Sequence, residues 1–167
     1  MEGFIGLHVG NDNWKNVLFL FSHRGLLIKS FFFCWQGAGS HSHKLQIHYK
    51  KLCKKAAKEG VLYLNQGKSA LDVAESVTAI LENSPLTNAG YGSTLTWDGE
   101  VECDASIMDG STLKWGGVGA VPGIKNPISL ARALCEEQGN VLTLGRVPPW
   151  FVFSKMLLIL KFIIIII

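Results

Sequence analysis

Apolar positions dominate residues 3–9, with Phe4, Ile5, Leu7 and Val9 closed off by Gly10, and a run this short and this apolar reads as a buried strand. From Lys44 the period changes. Leu45, Tyr49, Leu52, Cys53 and Ala56 recur at helical spacing with lysines opposite them, which predicts a surface helix ending at Gly60. Ser69 precedes a second helical pattern whose inward face is Ala70, Val73, Ala74, Val77 and Leu81. Asp72, three residues after Ser69, completes a capping-box spacing. Pro85 ends that helix, and residues 84–92 carry too many glycines and polar turn formers for regular structure. Residues 93–97 and 100–107 flank Asp98-Gly99, the signature of a hairpin, and Asp109-Gly110 leads on to residues 112–115 and 118–121, so the expectation is an antiparallel meander. Asn126 then caps a helix opening at Pro127, with Ile128, Ala131, Leu134 and Cys135 as its apolar stripe. Strand, helices, meander and helix together predict an α+β architecture.

Composition changes the picture at two places. Of 167 residues, 48% are hydrophobic and 17% charged, and the apolar excess concentrates in residues 11–36 and 151–167. What remains has ordinary globular composition, which excludes disorder, collagen, coiled coil and a disulfide scaffold. Cys34, Cys53, Cys103 and Cys135 are widely spaced, without paired histidines at zinc-ligand spacing. With no signal-peptide pattern, the thiols read as reduced and the expected compartment is intracellular, cytoplasm or nucleus. The net charge of +3 is modest and its basic part is local, in Lys44, Lys50, Lys51, Lys54, Lys55 and Lys58. No aromatic platform is interleaved with these lysines, so nucleic acid is not an expected partner and a solvated helix face is. Lys155 and Lys161 interrupt the tail, which argues against a membrane span.

Local patterns nominate little chemistry. Gly37-Ala38-Gly39-Ser40-His41 is a glycine corner suited to close backbone approach, and equally to a plain turn. His43 and His48 fall on different sides of a helix, which disfavours a metal. Glu100, Glu102 and Asp104 alternate along one strand, as a solvated side would. No Ser, Cys or Thr sits in a nucleophile motif.

Longer motifs are more specific. Residues 83–93 (Asn-Ser-Pro-Leu-Thr-Asn-Ala-Gly-Tyr-Gly-Ser), 102–110 (Glu-Cys-Asp-Ala-Ser-Ile-Met-Asp-Gly) and 123–131 (Gly-Ile-Lys-Asn-Pro-Ile-Ser-Leu-Ala) resemble, in order, the type 2 asparaginase family of N-terminal-nucleophile hydrolases. Leu134-Cys135-Glu136 and residues 145–149 (Gly-Arg-Val-Pro-Pro) look most like its threonine aspartase (taspase) members, the proteases of the family. The resemblance implies an αββα sandwich, of which this chain would be the α-subunit portion. It also implies a proenzyme that cuts itself to expose a threonine whose own α-amine is the base. That threonine has no counterpart here, and Thr143 falls inside the α-subunit match, so no catalytic residue is assigned and the chain alone is expected to be inactive.

By the same resemblance, Asn88, Ala89 and Gly90 belong to the loop beside the nucleophile, and Gly37, Ala38 and Gly39 to a turn approaching the scissile bond. The carbonyls of Leu81, Glu82, Ser84, Thr87, Ala89 and Tyr91 would form a monovalent-cation cage, with no other cofactor, and Asp104 and Asp109 take structural roles. The implied partners are the missing β-subunit, protein substrates cut after Asp, and a second αβ unit in a homodimer. Residues 1–10 read as the first strand. Residues 11–36 separate it from the glycine turn and read as a non-native insert, spelled by codons that can end in a splice-acceptor-like tract, hence a retained intron. Residues 37–150 are the family region and residues 151–167 an apolar low-complexity tail. Two alternatives stand beside the threonine-type endopeptidase: an asparaginase or isoaspartyl peptidase α-subunit, and a non-catalytic binding or membrane-attached fragment.

Overall fold

The computed structural model describes residues 3–8, 16–22, 31–36, 43–137 and 140–146. Gly3–His8 (β1), Asn16–Ser22 (β2) and Phe31–Gln36 (β3) form one antiparallel sheet, with Gly3 opposite Ser22 and Asn16 opposite Gln36. Two of these strands fall within the segment read as an insert. After a 3-10 turn at His43–Leu45 come two helices, Gln46–Asn65 (α1) and Ala70–Glu82 (α2). Glu102–Met108 (β4), Trp115–Pro122 (β5), Pro127–Glu137 (α3) and Val141–Leu144 (β6) complete the described chain. The helices lie in the order α1, α2, α3, the first two against the first sheet and α3 against β4 and β5, while β1 runs beside β4. The α+β expectation therefore holds, with helices forming one layer and strands the other.

Sequence forces are visible in each element. Asp72 N–H donates to Ser69 Oγ at 3.1 Å and Ser69 N–H to Asp72 Oδ2 at 3.3 Å, so the capping box that the spacing predicts starts α2. Val73, Ala74, Val77 and Leu81 are buried as expected, against Ala105 and Ile107 of β4, Val118 and Val121 of β5, and Ile128, Ala131, Leu134 and Cys135 of α3. Fully buried aliphatic side chains such as Ile107 and Ile128 each contribute about 1.5–3 kcal/mol by leaving water. Gly116 lets α3 sit directly on β5, because a Cβ there would strike the Ala131 carbonyl and the Cys135 amide.

Four expectations are corrected. The first helix does not stop at Gly60 but buries it and continues to Asn65, since α1 packs along its whole length and a glycine on the packed side is a contact rather than a stop. Residues 93–97 are not a strand. The turn does form, with Thr96 N–H donating to the Glu100 carbonyl at 2.8 Å, but Leu95 is exposed and Trp97 fully so, and no buried face rewards a ladder. The meander is instead a mixed sheet: β5 pairs antiparallel with β4 and parallel with β6, Gly116 opposite Val141 and Gly119 opposite Leu144, with α3 as the crossover. Asn126 precedes α3 as expected without capping it through its side-chain oxygen; a carboxylate from α2 takes that place.

Candidate functional site

The loop carrying Asn88 is held from both ends of its own sequence. Helical hydrogen bonding runs out at Asn83 and Ser84, whose N–H groups donate to the carbonyls of Ala79 (2.9 Å) and Leu81 (3.1 Å). Ser84 Oγ then accepts from Leu86 N–H at 3.2 Å, folding the chain over Pro85. Thr87 turns inward, and its hydroxyl lies 2.5 Å from the Leu81 carbonyl and 3.2 Å from that of Ser84. Asn88 Oδ1 accepts from both Thr94 N–H (2.8 Å) and Thr94 Oγ1 (3.0 Å), which fixes the amide's orientation without using its NH2 group. Ser93 Oγ and Cys103 Sγ, 3.1 Å apart, tie the end of the loop to β4.

Below the loop lies Glu82, wholly buried. Its Oε2 accepts from Asn126 Nδ2 at 2.9 Å and its Oε1 from Ile128 N–H at 3.0 Å, so the carboxylate of α2's last residue caps the N-terminus of α3. Burial pushes the carboxyl up to about 7, against the opposing pull of those two hydrogen bonds and with added repulsion from Glu75. Gly90, at φ +54°, sits so close to Glu82 that a Cβ would lie 2.9 Å from the Glu82 Cβ. Sequence reasoning names Glu82 for its carbonyl alone. The signal for the side chain is periodic: residue 82 follows Ala74 and Thr78 at four-residue steps on the buried stripe.

The residues read from the resemblance as a cage lie at the end of α2, in Leu81 and Glu82, and on the loop that follows it, in Ser84, Thr87, Ala89 and Tyr91. The Leu81 and Ser84 carbonyls converge on the Thr87 hydroxyl, and a Cβ on Gly92 would collide with the Ser84 and Thr87 carbonyls. This donor set is neutral oxygen throughout, the kind a hard cation takes and zinc does not. Ala89 is buried and Tyr91 exposed. Gly37, Ala38 and Gly39 lie outside the described residues. Thr143 stands inside β6 opposite Val118.

The acidic residues have structural partners. Asp104 Oδ1 accepts from Ala120 N–H at 2.7 Å where β5 bulges, and Asp109 accepts from the Ser111 amide and hydroxyl and from Thr112 Oγ1. Among the described residues no group of His, Cys, Asp and Glu could hold a metal ion, and no helix is long and apolar enough to cross a membrane.

Comparison with known proteins matches this stretch. The family model described as asparaginase matches residues 29–152. An isoaspartyl peptidase/L-asparaginase of Rattus norvegicus is 50% identical over 92 residues, 55% of this chain and 28% of the rat protein. A plant-type L-asparaginase of Pyrococcus furiosus is 53% identical over 77 residues, 46% of this chain and 25% of the relative. An isoaspartyl peptidase of Salmonella typhimurium is 39% identical over 114 residues, 68% of this chain and 36% of the relative. The chain therefore spans between a quarter and just over a third of the length of these relatives. The chain belongs to the type 2 asparaginase family, whose members are hydrolases.

Proposed function

We propose that this chain is the α-subunit scaffold of an asparaginase or isoaspartyl peptidase, an amidohydrolase whose nucleophilic threonine and amine lie outside the described residues. The observation that carries the reading is the identity to enzymes of those names, beside a family match over residues 29–152 that takes in the Asn88 loop. The chain's own part in the chemistry is positioning. An attacking hydroxyl must be held within a few tenths of an ångström of its target, and a loop clamped by Thr87, Thr94 and the Glu82 cap is stiff enough to support it. The carbonyls of Leu81, Glu82, Ser84, Thr87, Ala89 and Tyr91 would hold a monovalent cation that stiffens the loop further, a structural rather than a reacting group.

The test is a chimaera. Replacing the aligned 92-residue stretch of the rat enzyme with its counterpart here leaves hydrolysis of L-asparagine and of isoaspartyl dipeptides in place, and Asn88→Ala in that chimaera lowers kcat about tenfold or more. A folded chimaera without activity overturns the reading. A second reading, a threonine-type endopeptidase cutting after Asp, is favoured by Leu134-Cys135-Glu136 and the Gly-Arg-Val-Pro-Pro of residues 145–149. Cleavage of Asp-containing peptides, with asparagine left intact, by any longer product of the same gene selects it over the first.

A further inference from the structure

We propose that the outer face of α1 is a docking surface for an anionic lipid bilayer, the helix lying flat at the headgroup boundary and not crossing the membrane. Positions 44, 47, 51, 54, 55, 58 and 62 share one side of the helix and Lys50 and Val61 flank it, while Ala56 and Gly60 are buried on the other side. The side facing out therefore combines Lys44, Lys50, Lys51, Lys54, Lys55 and Lys58 with three aliphatic residues that the described residues leave exposed: Ile47 is 64% exposed, and Val61 and Leu62 each 48%. The strip is about 30 Å long.

Among the described residues no ion pair neutralises it. The ion pairs among the described residues join Arg132 to Asp72 and Glu136, and Arg146 to Glu100, and none uses a lysine of α1. Of the acids of neighbouring α2, Asp72 and Glu75 are bonded to Arg132 and Ser129 of α3, on the flank away from α1, and Glu82 is buried against Asn126 and Ile128. Glu59 is the one acid on the helix itself. Outside α1 the acids outnumber the bases, so the molecule carries its positive charge as a stripe.

The chemistry of the stripe selects the partner. Lysines are flexible point charges suited to a diffuse layer of headgroups, and no arginine supplies the planar fork that singles out one phosphate or carboxylate. No Phe, Trp or Tyr stands on this side to stack a nucleic-acid base, both tyrosines of α1 being turned inward and half-buried, and the exposed ring there is the single imidazole of His48. Exposed Ile47, Val61 and Leu62 among the lysines suit a surface with an apolar layer beneath its charge. Lysine stems lie along that layer while their ammonium groups reach the phosphates.

The test is sedimentation of the whole chain with vesicles. Binding is expected to phosphatidylcholine vesicles containing about 30% phosphatidylserine, to vanish on pure phosphatidylcholine, and to fall steeply by about 0.5 M salt. The double change Lys51→Glu and Lys55→Glu, at exposed positions that leave the thermal unfolding unchanged, weakens partitioning at least about twentyfold. Ile47→Ser weakens it severalfold while leaving binding to a single-stranded oligonucleotide as it was. Equal binding to neutral vesicles, tighter binding to the oligonucleotide or to polyglutamate than to the anionic vesicles, indifference to either variant, or no vesicle binding at all would overturn the proposal.

Discussion

Glu82 is a wholly buried carboxyl group with two amide donors. Its pKa stands near 7 in the folded chain against an ordinary value of 4.5, so between those values the folded state holds a proton that the unfolded state has released. The contribution of Glu82 to stability is accordingly full below about pH 4.5, declines as pH rises towards 7, and is gone above it, a loss on the order of 3 kcal/mol at most. Asp72 and Asp109 act in the opposite sense at lower pH. Burial raises each, but hydrogen bonds from Ser69 to Asp72 and from Ser111 to Asp109, with the Arg132 charge beside Asp72, outweigh it and hold both below the usual carboxylate range, so their contribution is lost as pH falls. Denaturant midpoints measured from pH 4.5 to 8 should show the decline, and Glu82→Gln should flatten it, since an amide flip at Asn126 restores the bonding. A Gln variant that keeps the slope would assign it elsewhere. At Ala120 the backbone is left-handed, φ +50°, held there by Asp104. Ala120→Gly keeps the amide and removes the Cβ strain, so a gain of about 0.5–1 kcal/mol in denaturant stability is expected.

Among the elements, α2 was the most legible, because everything that starts it is local. Ser69 and Asp72 lie three residues apart and bond each other. Ser69→Ala should cost about 1 kcal/mol in chemical denaturation, and an Asp72→Asn variant about as much again through Arg132 as well as the cap. The end of α1 and the whole of β6 were not legible, for physical reasons that differ. Gly60 has low helix propensity, yet its burial shows that packing decided the matter. Four residues of β6 carry no period worth reading, and the strand exists because α3 returns the chain beside β5. Residues 93–97 failed the other way: Leu95, Thr96 and Trp97 favour a strand by propensity, but propensity in strands is mostly burial, and these side chains face solvent.

At the scale of the molecule, α+β layering followed from the order of periods, and the family followed from motifs that no period explains. The Asn88 loop was legible only through resemblance; that Thr94 fixes Asn88 and that Glu82 caps α3 was not, because the partners of Glu82 stand 44 and 46 residues further on. That separation has a consequence in time. The contact between Glu82 and Ile128 closes a span of 46 residues, a costlier closure than the local bonds at the end of α2. A substitution that slows the pairing of β4 with β5 is therefore expected to delay burial of the Glu82 carboxyl on refolding without touching any residue of the loop beside Asn88.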